Sequence, residues 1–256
     1  MQSKFLTLLA GAALSLGLVS AASAADMAAR PFTKAPAPIA VAMYNWSGFY
    51  IGANAGGAWS RKCWDVTSAL GVVLPATAEG CHDASGATVG GQVGYRWQAS
   101  AWVFGLEAQG NWADMRGSNT SLFFGAPITN TSRIDALGLF TAQVGYAWNN
   151  VLWYVKGGAA VTDDRYDGSI LGVVFDRSSE TRWGGVIGTG LEFGVTPNWS
   201  FAVEYNHLFM GDRTQTFTSV LPPVGVVSRT DRISQDVDMF TARVNYRFGG
   251  PVVAKY

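Results

Sequence analysis

The chain has 256 residues, within the size of one large all-β domain, and carries 31 glycines, 10 tryptophans, 9 tyrosines and 14 phenylalanines beside only 14% charged residues. Its 18 basic and 18 acidic side chains cancel. That balance argues against a disordered chain, a nucleic-acid-binding surface and long-range electrostatic steering.

Lys4, the apolar run 5–19 and Ala22-Ser23-Ala24 form the basic, hydrophobic and small-residue parts of a secretory signal peptide over residues 1–24. The mature chain is expected to start at Ala25, with 17 basic and 18 acidic residues once Lys4 is gone. No later run of about 18 apolar residues exists, so no transmembrane helix is available. An exported chain of this kind enters a membrane only as a closed barrel. Residues 25–43 hold Pro31, Pro36 and Pro38 among alanines and read as an extended tether.

The first strand is expected over residues 44–59, with Ile51, Ala53 and Ala55 on one face and Tyr50, Gly52, Asn54 and Gly56 on the other. Glycine on the second face leaves room for the long side chains of neighbours. The second strand, 87–97, puts Val93, Tyr95 and Trp97 opposite Gln92 and Arg96, and a tight turn follows at 98–101. The third, 102–112, sets Trp102, Phe104 and Leu106 against Glu107, Gln109 and Asn111. The fourth, 133–148, ends at Asn149-Asn150, a two-residue hairpin signal, and the fifth begins at once and carries Lys156. The sixth, 181–195, opposes Trp183, Ile187 and Leu191 to Arg182, Gly188 and Glu192, and the seventh, 199–210, opposes Phe201, Val203 and Tyr205 to Glu204 and Asn206. The eighth, 236–248, alternates most strictly: Phe240, Ala242, Val244, Tyr246 and Phe248 face one way, Thr241, Arg243, Asn245 and Arg247 the other.

Connections of about 2 to 4 residues follow the second, fourth and sixth strands, and stretches of about 18 to 26 follow the others. That asymmetry, an even strand number and aromatics near strand ends fit an all-β, eight-stranded antiparallel up-and-down transmembrane β-barrel with short periplasmic turns, long extracellular loops and both termini periplasmic. Residues 249–256 then form a short periplasmic extension.

Cys63 and Cys81 share one expected loop and, in an oxidising compartment, are expected to bridge. His82 beside them, without C-x-x-C spacing, points away from a metal site. Arg96, Glu107, Lys156, Arg182, Glu192, Glu204, Arg243 and Arg247 are the expected inward charges. They are expected to form one paired network that plugs the lumen, since eight strands enclose just enough space for side chains. The excess of basic over acidic groups is the sole hint of the alternative, a narrow, slightly anion-favouring pore. His207 falls on the lipid-facing set, where a hydrolase needs a serine and an orienting carboxylate. Its sequence neighbours Asn206, Leu208 and Phe209 supply neither, so no catalytic residue is assigned, although an adjacent strand remains open as a source. No cofactor is expected. Each long loop has an apolar middle, at 69–75, 122–128, 170–175 and 220–227. These runs read either as tips that pack against one another or, in the third at Val173, Val174 and Phe175, as a patch that contacts a host surface, a neighbouring barrel or a hydrophobic ligand.

The opening Y-N-W-S-G-F-Y-I-G-A-N-A-G-G from Tyr44 to Gly57, the repeated G-Y-x-W endings at 94–97 and 145–148, and V-N-Y-R-F from Val244 to Phe248 carry a resemblance. Over 44–248 the chain resembles the small outer-membrane β-barrel surface proteins of alphaproteobacteria, with OmpA-like and opacity-type barrels as wider relatives. The resemblance implies an abundant outer-membrane barrel with roles in envelope integrity and surface interaction, and porin or haemin-binding activity for some members. It implies outer-membrane lipid, lipopolysaccharide and the assembly machinery as partners, with a terminal aromatic strand as assembly signal, here Tyr246 and Phe248. The chain departs from the pattern by continuing past Phe248 to Tyr256.

Overall fold

The computed structural model describes residues 44–249. The expected signal peptide, tether and residues 250–256 lie outside the described residues. Eight strands run in chain order: β1 (Gly48–Ala69), β2 (Val72–Ala99), β3 (Trp102–Thr120), β4 (Ile128–Trp148), β5 (Val151–Ile170), β6 (Val173–Gly194), β7 (Trp199–Ser219) and β8 (Val227–Arg247). Each pairs antiparallel with its sequence neighbours, and β8 returns to β1 from Tyr50↔Arg247 up to Ala69↔Arg229, closing the barrel. From the short turns 100–101 and 195–198 up to Ser85↔Arg116 on β2–β3 and Gly185↔Phe209 on β6–β7, closure leaves no unpaired edge, which hydrocarbon requires.

Strands of 19 to 28 residues are twice what a bilayer needs, since roughly 10 tilted residues cross it. At about 3.3 Å per residue the surplus carries the barrel well beyond an apolar band of roughly 25 Å. The band is visible on the outer face. Near the chain termini it is edged by Phe49, Trp97, Trp102, Trp148, Trp199 and Phe248, and at its other limit by Trp59, Trp112, Phe140, Trp183, Phe209 and Phe240, all exposed. Above that second ring the outward positions turn charged, as at Arg61, Asp114, Arg133, Arg165 and Asp236.

The stretches expected as long loops are therefore corrected: they are ladder. The strands continue to the turns Leu70-Gly71 and Leu171-Gly172 and the seven-residue connections 121–127 and 220–226, although the β2–β3 pairing stops at Ser85↔Arg116 and the β6–β7 pairing is interrupted between Arg177 and Gly185. Cys63 and Cys81 sit within this ladder, directly opposite one another on β1 and β2, and are bonded. The end with the turns 100–101, 149–150 and 195–198 and the described termini is called the terminal end below, and the other the tip end. Glycine's expected role holds at two positions: a methyl on Gly94 or Gly190 would stand 2.5 Å from the rings of Tyr50 or Tyr154, which lie across them inside the barrel.

Candidate functional site

The interior is layered. At the terminal end Trp46, just before β1, is buried against Val103, Ala147, Leu152 and Tyr154 with Tyr44 packed on it. Its amide donates to Gln98 Oε1 at 2.9 Å. These aromatics fill the barrel's mouth. Above them three cations meet three carboxylates. Arg243 bridges Glu107 and Glu204, and Lys156 Nζ approaches the same pair at 3.0 and 2.6 Å. Tyr50 donates to Glu107 and Tyr154 to Glu204, each at 2.6 Å. Arg96 pairs with Glu192 at 2.8 Å and lies 4.4 Å from the centre of the Tyr50 ring. Ser200 and Asn245 also donate to Glu192.

Six of the eight expected lumen charges thus come together. Arg182 and Arg247 do not, which corrects the expectation of a single network. Arg247 donates to the carbonyls of Ser47 and Pro197 at the rim. Arg182 lies beyond an apolar layer, beside Glu180 and the carbonyls of Gly211 and Ile233. The terminal-end cluster itself balances three to three, and the basic excess that hinted at an anion pore shrinks there to Arg247 at the rim.

The apolar layer contains Ala58, Leu139, Ala160, Val186, Leu208 and Met239, all buried and inward-facing. Its height follows from the strands themselves. On β8 it falls between Arg243 and Asp231, on β5 between Lys156 and Asp164, and on β6 between Glu192 and Arg182. Beyond it comes a second polar tier: Lys62 binds Asp164 at 2.8 Å beneath a cluster of Trp64, Tyr166, Phe217 and Ile233. Higher still, Arg229 reaches Glu79 at 2.9 Å, Asn130 at 2.9 Å and Asp176 at 3.1 Å, with Asp231 at 3.5 Å. The reading of the sequence missed Lys62, Asp164, Arg229 and their partners because it placed them in loops. Continued alternation through Arg229, Asp231, Ile233 and Gln235, all inward, is the signal that could have found them.

Between the tips lies a cavity of about 550 Å³, walled by Leu70, Phe124, Ile128, Ile170, Phe175 and Val226 and floored by Asp176 and Arg229. Of the expected patch, Val173 is exposed, whereas Val174 and Phe175 are half-buried and Phe175 turns into the cavity. The most exposed apolar side chains among the described residues are instead Leu70 (86%) and Leu171 (82%), at the turns themselves, and Val73 (85%), at the start of β2.

His207 faces outward near the upper aromatic ring, and an orienting carboxylate does come from the next strand. Its Nδ1 lies 2.7 Å from Asp238 Oδ1, which also accepts from Tyr205 at 2.5 Å. The outward neighbours of the ring are Tyr205, Phe209 and, across the ladder, Ile187, so the imidazole has a carboxylate but no adjacent serine. His82 bonds Asn119 and Ser132, at 2.8 and 2.9 Å, as a structural residue of the upper ladder. Tyr246 and Phe248 face outward at the terminal end, with ring centres 5.2 Å apart.

The family model described as outer membrane protein beta-barrel domain matches residues 11–248. The chain belongs to that family. Within it, the 31 kDa outer-membrane immunogenic protein of Brucella melitensis is 27% identical over 208 residues, covering 79% of this chain and 86% of the relative. The 25 kDa outer-membrane immunogenic protein of the same organism is 25% identical, covering 83% and 84%. Among solved structures, the outer membrane protein OprG from Pseudomonas aeruginosa matches with a TM-score of 0.52 at 14% identity, covering 80% of this chain and 97% of that one. The outer membrane protease OmpT from Escherichia coli matches at 0.51 and 10%, covering 78% and 97%. These two share the fold alone. Family and relatives make the protein an outer-membrane barrel.

Proposed function

We propose that the protein is a non-conducting, non-enzymatic outer-membrane scaffold. It supports envelope integrity and lifts an apolar crown, formed by the four tips, out of the cell for contact with other surfaces. The terminal end faces the periplasm and the tip end the exterior, as in barrels with short periplasmic turns. The observation that carries this reading is the apolar layer shut between two paired charge tiers. A solute following the lumen must cross Leu139, Leu208 and Met239 with no polar group to replace its hydration. Lipid and lipopolysaccharide surround the aromatic rings, Tyr246 and Phe248 present the last strand to the assembly machinery, and the crown meets a host surface or a neighbouring barrel.

Single-channel recording on refolded residues 25–256 in planar bilayers tests the scaffold. Silence from protein verified as folded is expected, and steady conductance steps would overturn it. For the crown, serine at Leu70, Val73, Leu171 and Val173 should leave the heat-modifiable gel shift intact and reduce adherence of expressing cells to host-cell monolayers. Unchanged adherence would remove the crown from the proposal.

A further inference from the structure

The tip cavity has walls of one chemistry and a floor of another. Its walls are aliphatic and aromatic, and its volume of about 550 Å³ lies within the usual range for small-molecule sites, roughly 300–1,000 Å³. The side-chain donors at the floor already point at its own acceptors. Arg229 gives Nε to Asp176, one terminal nitrogen to Glu79 and the other to Asn130. Ser228 donates to Asp176 and Ser219 to the carbonyl of Leu221.

Acceptors are in surplus. One guanidinium faces three carboxylates, of Glu79, Asp176 and Asp231. Oδ1 of the fully buried Asp176, which lines the cavity, receives no side-chain donor, and neither oxygen of the buried Asp231 beneath it has any hydrogen-bond partner. An anionic ligand would meet a floor whose one cation already faces three carboxylates. A ligand that brings its own donor and a positive charge would complete the floor, because leaving buried acceptors unmet is costly.

We propose that the tip cavity binds small hydrophobic organic cations, with the apolar body against Phe124, Ile170 and Phe175 and the ammonium group against Asp176. This deepens the reading of the crown as a contact surface by naming what its centre accepts. The order of preference is amine, then the neutral alcohol of the same skeleton, then the carboxylate.

The test uses the refolded barrel in zwitterionic nanodiscs, titrated calorimetrically at pH 8 with 2-naphthylmethylamine, 2-naphthalenemethanol and 2-naphthoate, with empty discs subtracted. The amine is expected to bind about tenfold more tightly than the alcohol, the scale of one well-placed charge interaction. Asp231→Asn should shrink that gap while leaving alcohol binding in place, which also reports an intact cavity. Val226→Trp, filling the space, should abolish binding of both in protein that keeps its heat-modifiable mobility. Equal binding of amine and carboxylate, or binding unaltered by Val226→Trp, would overturn the proposal. So would no binding by any of the three. A failed titration with adherence still lost in the serine variant sinks the cavity alone. Normal adherence in that variant sinks the crown whatever the titration shows.

Discussion

Arg243 is the residue on which the terminal-end tier depends, because it is the cation shared by Glu107 and Glu204. Removing it leaves two buried carboxylates on Lys156, and breaking a buried pair in this way costs about 3–5 kcal/mol. Arg243→Met should therefore lower the unfolding free energy, extrapolated from urea titration of the barrel refolded in lipid vesicles, by an amount of that order. Adding Glu204→Gln should recover much of it, since one cation then faces one carboxylate. Asp231, far beyond the apolar band, behaves oppositely to a paired acid. Burial first, then Glu79 and Asp176, push its carboxyl up to about 7, with Arg229 opposing. The unfolded chain loses that proton near pH 4. Its contribution to stability is thus full below about pH 4 and is lost as pH rises through about 7. Asp176, also raised chiefly by burial, acts in the same direction. Hydrogen exchange at the tip strands, corrected for intrinsic rates, should show less protection at pH 8 than at pH 5.5. Asp231→Asn should flatten that difference, and equal protection in the unaltered protein would refute the assignment.

Within the apolar band the strands were legible because lipid makes the outer face apolar and the lumen takes the polar residues, so Phe240 and Arg243 sort themselves by parity. Above the band the sign inverts. Water now bathes Arg61, Arg165 and Arg232 outside, while Trp64, Tyr166 and Phe217 fill the interior. Register slips compound this: bulges at Trp64/Asp65, Trp112/Met115 and Phe209/Gly211 break the parity near the crossover. A reader expecting one polarity sees only loops there, although their apolar middles correctly mark the tips. The cysteine pair was legible, but its setting was not. Closing a loop of its length restricts the unfolded chain by about 3 kcal/mol in the entropy account. Because Cys63 lies on a strand paired to both sides, whereas β2 at Cys81 is paired to β1 alone, replacing both with serine should leave the band folded and loosen the β1–β2 hairpin selectively. Amide exchange confined to residues 61–83 would show this, and loss of protection throughout the barrel would contradict it.

At the scale of the whole molecule, the proposed scaffold owes its closed lumen to the dry layer rather than to the charge tiers that the sequence displayed. Leu139, Leu208 and Met239 sit at inward positions where the alternation led one to expect polar side chains, and only their convergence from β4, β7 and β8 makes a seal. Replacing all three with serine should convert silence into flickering conductance in planar bilayers. Continued silence from the folded variant would mean that the ion-paired tiers close the lumen by themselves. The length of the shaft has a consequence for how such a protein changes over generations. Each tip stands on a hydrogen-bonded hairpin and lies many residues from the lipid-embedded wall. With the tips turned outward as proposed, substitutions at Leu70, Val73 or Leu171 alter what the outside world meets without touching what keeps the barrel in the membrane. The architecture separates the part under selection for durability from the part free to diversify.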